Sequence, residues 1–305
     1  MRLEEKRSPS NIMPSNITLI FPSCYDDKKK VDECYESEFL CVRSIPGFKI
    51  AFYDHDKFVE NPSATLKFYP GLEPGVLCIG RTWMFKPDEY KLFHAGIQTL
   101  GADLINTPAE YDRLHLFPHV YPFIKDDTPQ SISFSDPSDI SAEVVNKTFE
   151  KFIIKDYVKS VKGHDFPASF TTPLTQKELD DFISRFIELR QPLFTGGIVL
   201  KDFIELKRYG EKATNEYRAF YLNNHVLTVS RNSNQPEDSP VVPRDLVERC
   251  AHLPSRYYTV DFGEMEDGSF IILETGDGQV SGLSPHQNVS KYYNEMIGIL
   301  RGFNT

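Results

Sequence analysis

Asp261 and Glu274 are the residues of this chain whose type and spacing most invite chemistry. They belong to YYTVDFGEMEDGSFIILETGDGQVSG (257–282), two apolar runs around Asp267-Gly268. Both stand where a strand interior usually carries Val or Ile. An Asp-Gly pair between such runs predicts a two-residue hairpin turn. With that turn Glu266 pairs with Ser269, and Asp261 falls directly opposite Glu274. Directly paired side chains share a face, with Cβ atoms about 5 Å apart. Two carboxylates there repel, so a shared proton, a nearby Lys or Arg, or a metal ion must compensate. Asp277, just past the strand, could add a third oxygen. Oxygen ligands without His or Cys suit magnesium, which usually arrives with phosphate. The simpler alternative is an edge hairpin with solvated acids.

Cationic residues stand on other predicted strands. In FIIKDYVKSVKGHD (152–165), Lys155 ends an apolar run, and Lys159, Lys162 and Gly163 follow in a polar loop. Lysines and loop amides can surround a triphosphate. For Lys159 or Lys162 alone, a solvated turn is the simpler alternative. In NEYRAFYL (215–222), alternation puts Glu216, Arg218 and Phe220 on one face. Arg218 is mid-strand and needs an anion: Glu216 within the fold, or a phosphate or carboxylate of a ligand. The end of GGIVLKDFIEL (196–206) can offer backbone groups to a purine, with Phe203 or Ile204 on the ring.

Elements to position these groups are legible. NITLIFPS (16–23), FKIAFYD (48–54) and GVLCIGR (75–81) read as strands separated by helix-length segments. PDEYKLFHAGIQTLGADLINTP (87–108) reads as a helix, a Gly turn and a strand. That alternation predicts a parallel, Rossmann-like α/β lobe over 16–130, after a flexible tail at 1–15. The lobe lacks GxGxxG, so no dinucleotide site is supported. DDTPQSISFSDPSDI (126–140) is a polar boundary, with SISF a possible strand. TPLTQKELDDFISRFIELRQP (172–192) is a helix with a Thr175/Glu178 capping box. GGIVLKDFIEL, NEYRAFYL and HVLTVSR (225–231) follow as strands, the last two joined by Asn223-Asn224. After a helix near 243–252 and the carboxylate hairpin, Ser284, Pro285 and Gln287 predict the start of a final helix. The second half, 131–305, is therefore rich in antiparallel hairpins.

Composition bounds the setting. The chain has 305 residues, 40% hydrophobic and 26% charged, as in ordinary globular proteins. A net charge of -10 argues against nucleic-acid binding. Five Cys without close pairing suggest reduced thiols rather than a disulfide framework or a zinc site. No signal peptide and no apolar run of about 20 residues is seen, so a cytoplasmic protein without membrane association is expected.

Together these residues resemble the ATP-grasp superfamily. V-D-(12 residues)-E around a DG turn is similar to its metal-binding hairpin. NEYRAFYLNNHVL resembles its Arg-bearing strand, FIIKDYVKS its phosphate-lysine strand, and GGIVLKDFIEL its adenine-hinge strand. Within the superfamily, ETGDGQVSGL, GRTWMFKPDEY and LINTPAEYDRLHLFPHVYP are most similar to the R2K clade. The resemblance implies a Rossmann-like lobe followed by an ATP-grasp fold that binds ATP and Mg2+. It implies a carboxylate–amine ligase working through an acylphosphate on small-molecule or peptide substrates. Lys155, Lys159, Lys162, Lys201, Phe203, Ile204 and Glu216 would bind nucleotide. Arg218 and Lys155 would be catalytic, and Asp261, Glu274 and Asp277 would hold metal. One departure stands out. Where many relatives carry Glu-x-Asn, this chain has Gly276 followed by Asp277, and Asp277 could take the place of the Asn.

The acceptor side is read more thinly. Arg81 and the single Trp, Trp83, follow a strand, where α/β layers often line ligand crevices. His115, His119, Tyr121, Gln279 and Ser281 are further candidates. Two rival functions share the fold: an ATP-binding assembly or regulatory factor, and a phosphotransferase that stops at phosphorylation.

Overall fold

The structure is a computed structural model that describes residues 17–62, 64–161, 166–211 and 213–302. Two compact units divide the chain. The first runs to Trp83, takes in Leu92–Ile105 and resumes at Asn288. The second holds Met84–Lys91 and Asn106–Gln287.

In the first unit, the apolar runs become a five-stranded sheet. Its strands are β1 (Ile17–Pro22), β2 (Phe48–Tyr53), β3 (Phe68–Tyr69), β4 (Leu77–Gly80) and β5 (Asp103–Leu104). The order is β3-β2-β1-β4-β5, parallel except for β3. The expected parallel layer is present. Every residue of β1 is buried, as befits a central strand covered on both faces. Helices α1 (Glu36–Val42) and α2 (His55–Glu60) connect the strands. In α3 (Pro87–Thr99), Phe93 packs against Tyr53, Phe58 and Phe68.

The second unit contains two four-stranded antiparallel sheets. One has β6 (Ser131–Phe134), β7 (Lys151–Asp156), β8 (Phe170–Thr171) and β9 (Ile198–Asp202), in the order β6-β9-β7-β8. Helices α4 (Pro108–His115) and α5 (Phe117–Ile124) precede this sheet, and α6 (Ala142–Thr148) and α7 (Gln176–Arg190) lie within its span. Leu179, Ile183 and Phe186 of α7 pack on Phe152, Ile154, Ile198 and Leu200. Strand alternation then turns Lys155 and Lys201 to the opposite face. The Thr175/Glu178 capping box opens α7, as its sequence predicts.

A small hairpin, β10 (Arg208–Tyr209) and β11 (Ala213–Thr214), leads to the other sheet. That sheet has β12 (Glu216–Leu222), β13 (His225–Arg231), β14 (Tyr257–Glu264) and β15 (Phe270–Asp277), in the order β13-β12-β14-β15. Asn223 and Asn224 have φ of 48° and 64°, which suits the tight turn predicted between β12 and β13. Tyr217, Tyr221, Tyr258, Val260 and Phe262 form a core with Leu114 and Phe117 of α4 and α5. Leu246 and Val247 of α8 (Arg244–Arg249) join it.

The final helix differs from expectation. It is α9 (Val289–Leu300), and Asn288, not Ser284, accepts the capping bond from Lys291 N–H. Gln287 is engaged elsewhere, its Oε1 accepting from the Thr228 and Ser230 hydroxyls. All five cysteines are free. Among the described residues, no helix is long and apolar enough to cross a membrane.

Candidate functional site

Asp261 lies opposite Glu274, as the sequence register requires, but by a different route. The reversal uses three residues, 266–268. Met265 N–H donates to Ser269 O (2.8 Å) and Gly268 N–H to Met265 O (2.9 Å). Gly268 sits at φ +85°, a conformation that favours glycine. This longer turn shifts the pairing by one residue, so Phe262 faces Ile272. A bulge at Leu273 shifts it back. Without the bulge, a leucine would oppose Asp261. With it, the second carboxylate does.

One transverse row crosses the sheet: Ser230, Arg218, Asp261 and Glu274. Arg218 meets Asp261 with two parallel bonds, Nε to Oδ1 and Nη2 to Oδ2, both 2.7 Å. Its Nη1 donates to Gly282 O (2.8 Å). Lys155 Nζ donates to Glu274 Oε1 (2.7 Å), and Lys159 Nζ lies 3.7 Å from Oε2. The like-charge conflict between the two acids is thus relieved by three cations. Lys201 is buried beside them, donating to Leu273 O (2.8 Å) and Thr128 Oγ1 (3.1 Å). Burial, with repulsion from Lys155, pushes its ammonium down to a pKa of about 7. The Phe117 ring lies under both lysines, 5.9 Å from Lys155 Nζ and 4.6 Å from Lys201 Nζ.

Other nucleotide candidates sit near this row or at the hinge. Glu216 is on the Arg218 face, and its carboxylate accepts from the Thr214 hydroxyl. Phe203 and Ile204 border an open cleft of about 450 Å³ with Glu205, Leu206 and Arg208. Lys151 Nζ stands 3.9 Å over the Phe203 ring. Lys162 lies outside the described residues.

Asp277 does not join the other two acids. It pairs with Tyr258, which places it on the core face, opposite to Asp261 and Glu274. Its Oδ2 accepts from Asn106 Nδ2 (2.5 Å), and its Oδ1 from Gln279 N–H (2.9 Å). Among the described residues, no group of three His, Cys, Asp or Glu is arranged to hold a metal. Gly276 does lie on the carboxylate face. A Cβ there would meet Ser281 Oγ at 3.0 Å and Thr259 Oγ1 at 3.3 Å, so an Asn would crowd this hydroxyl pair. Two side-by-side carboxylates still fit magnesium, a hard cation that commonly keeps waters and phosphate oxygens as its other ligands.

Burial pushes the Asp277 carboxyl up to about 7, despite its N–H donors. A raised folded pKa stabilises the fold below the unfolded value of 3.8 and loses that contribution as pH rises through about 7. Asp277→Asn should therefore flatten the pH dependence of Tm between about 4 and 7. It should leave the Mg2+ dependence of ATP binding unchanged. Loss of that dependence would restore Asp277 as a ligand.

The acceptor-side candidates are dispersed. Arg81 is buried in the first unit, its Nε donating to Glu38 Oε1 (2.6 Å). Tyr293 also hydrogen-bonds that carboxylate. Trp83 is 39% exposed and donates to Asp32 Oδ2 (3.3 Å). In the second unit, His115 is buried, and its Nε2 has no hydrogen-bond partner among the described residues. Burial, with Lys159 nearby, pushes its pKa down to about 3, so the ring is neutral. Gln279 Nε2 donates to Tyr90 OH (2.7 Å), and Ser281 Oγ to Asp277 O (2.8 Å).

Two residues near the site escaped the sequence reading. Phe117 gave no signal, because an apolar residue at a helix start looks like core. Asp156 did give one: an acid ending an apolar strand before a turn is a turn-forming signature.

Comparisons with known proteins bear on the family and the fold. Residues 134–296 match the family model "ATP-grasp domain, R2K clade family 3". Among solved structures, the chain is similar to the ATP-grasp ligase PsnB complexed with a minimal precursor. They share 12% identity over 95% of this chain and 100% of that one, with a TM-score of 0.58. PsnB is also solved with minimal precursor, Mg and ADP, at 12% identity, 95% and 97% coverage and TM-score 0.55. D-alanyl-alanine synthetase A from Vibrio cholerae matches at 9% identity, 94% and 99% coverage and TM-score 0.57. No curated protein sequence matches the chain. At such identities the likeness speaks for the fold alone, and the fold is that of the ATP-grasp ligases.

Proposed function

The chain belongs to the R2K clade of the ATP-grasp family, and from that premise we propose that it is an ATP- and Mg2+-dependent ligase joining a carboxylate to an amine. The observation that carries this reading is the row Arg218, Asp261 and Glu274, closed by Lys155 and Lys159. It is a set of three cations and two carboxylates, which a phosphate could enter on the cations with magnesium on the acids. Every residue of the set falls in 131–305, the segment we assign to nucleotide binding, with 16–130 as the pre-ATP-grasp segment.

In this reading adenine lies against Phe203 and Ile204, and Glu216 meets the ribose. Lys155, Lys159 and Lys201 hold the phosphates, and Lys162 is proposed to join them. Asp261 and Glu274 would hold magnesium, which would offset charge on the phosphate oxygens. A substrate carboxylate oxygen attacks the γ-phosphorus, and the bond to the bridging oxygen breaks toward ADP. Arg218, a planar fork already aimed into the row, offsets charge building on the transferred group. An amine then attacks the acyl carbon, phosphate leaves, and the amine nitrogen loses a proton to give the amide. Holding the reactants together supplies much of the acceleration. Of the acceptor-side candidates, Ser281 remains in the proposal as a substrate contact, and Trp83 stands as an exposed residue of the first unit. Arg81, His115 and Gln279 serve the frame.

The test is an ADP-release screen of the full chain with Mg-ATP over acids and amines. Sustained ADP release should need both partners, and hydroxylamine in place of the amine should trap a hydroxamate. A stable phosphorylated product formed without an amine would make the protein a phosphotransferase instead. ATP binding with no turnover on any pair would make it a regulatory factor.

A further inference from the structure

Beside Glu274 the second unit has an open cleft of about 440 Å³. Lys159, Ser160, Val161, Leu189, Arg190 and Leu193 line it, with Glu274 at its edge. Its walls come from the turn after β7 and the segment where α7 ends. Asp156, fully buried, ties those walls together. Its Oδ1 accepts from Val158 N–H (2.7 Å) and Lys159 N–H (2.6 Å). Its Oδ2 accepts from Arg190 Nε (2.9 Å) and Thr195 N–H (3.3 Å). One buried carboxylate therefore fixes the backbone of Lys159 and the guanidinium of Arg190 on a common frame.

The charges around the cleft do not cancel. Asp156 answers Arg190, and Glu274 answers Lys155. Lys159 is left with a 3.7 Å approach to Glu274 and a half-exposed side chain. In a chain of net charge -10 this is a local cationic spot. Apart from Ser160, the rest of the lining is apolar: Val161, Leu189 and Leu193, the last 63% exposed. A protonated amine would be repelled here, and a bare phosphate would gain nothing from the leucines. A carboxylate carrying an aliphatic group matches both walls.

We propose that this cleft binds the carboxylic-acid substrate, its carboxylate on Arg190 and on Lys159, which it shares with the γ-phosphate, and its aliphatic side chain on Val161, Leu189 and Leu193. The assignment rests on the ligase reading. It places the nucleophilic oxygen beside Glu274, where the γ-phosphate would be delivered, and it makes the acid an N-acylated aliphatic amino acid or a peptide ending in an aliphatic residue. Asp156 is then a positioning residue, acting through Lys159 and Arg190.

The test is calorimetric titration of the full chain, saturated with Mg2+ and AMPPNP. The probes are N-acetyl-L-leucine and its neutral amide. The acid should bind with nucleotide in place, and the amide should bind at least about tenfold more weakly. Leu193→Asp puts a like charge on an exposed wall position, so it should weaken the acid about tenfold without disturbing the fold. Leu193→Lys should not weaken it, and both variants should bind Mg-AMPPNP like the parent. Equal binding of acid and amide, no binding of either, equal behaviour of the two variants, or displacement of the acid by nucleotide would each overturn the assignment. A prior titration of the parent with Mg-AMPPNP alone separates the two readings: if it shows no binding, the ligase reading falls along with this one.

Discussion

Arg218→Lys is expected to lower turnover about 100-fold while changing Mg-ATP affinity no more than about twofold. The reason is geometric. Arg218 makes three bonds in one plane: two to the Asp261 carboxylate and one to Gly282 O. A lysine carries the same charge on one nitrogen and cannot span those positions. The Gly282 bond also anchors the loop after β15, where Ser281 meets Thr259. The charge that matters builds only as phosphoryl transfer proceeds, so the loss should fall on kcat rather than on nucleotide binding. Lysine is the informative replacement. Methionine would strand Asp261, whose side chain is only 11% exposed, at a cost of about 3–5 kcal/mol of stability. Steady-state ADP release with saturating substrates checks the prediction, and an unchanged kcat would remove Arg218 from the chemistry.

Lys155→Met should act on the other parameter. Lys155 is buried at the end of β7, with its ammonium on Glu274 and above Phe117. Bonds from charged groups contribute about 1.5–3 kcal/mol, so Mg-ATP affinity should fall roughly 10- to 100-fold. Adenosine, which has no phosphates, should bind the variant and the parent alike. Stability should move little, because Glu274 is 34% exposed and keeps Lys159 at 3.7 Å. Parallel titrations with ATP and adenosine separate the outcomes. An equal loss for both ligands would mean that the substitution had damaged the hinge, and no loss for ATP would mean that Lys155 does not touch phosphate.

Much of this site can be read from the chain, because charged residues in apolar strands are conspicuous. Lys155, Arg218, Asp261 and Glu274 each stand in a largely apolar run of the sequence, and alternation assigns each one a face. The Thr175/Glu178 box and the Asn223-Asn224 turn are equally local, and the structure shows both. The turn of the carboxylate hairpin is less transparent. A three-residue loop and a bulge at Leu273 compensate each other, so the correct pairing follows from an incorrect turn. A bulge is stabilised by tertiary contacts, here Lys201 on Leu273 O, and local propensity does not report it.

Asp277 shows the opposite failure. Its position next to Gly276 suggests a replacement ligand, yet one residue of offset in a strand reverses the face. The partner that holds it, Asn106, lies far away in sequence. Arg81 is similar: an Arg after a strand looks available until Glu38 closes on it. The same distance hides the cleft beside Glu274, whose walls are tied together by Asp156. The final helix turns on a choice between two good caps, Ser284 and Asn288. Gln287, drawn to β13, belongs to neither a capping box nor the helix.

If Asp261 and Glu274 hold magnesium on bound ATP, calorimetry of ATP binding with Mg2+ and with EDTA should show it. The parent chain should bind ATP at least about tenfold more tightly with Mg2+. The double variant Asp261→Asn, Glu274→Gln should bind ATP equally in both conditions, while adenosine binding reports that its hinge remains folded. A Mg2+ dependence that survives in the double variant, or one that is missing from the parent, would contradict the account.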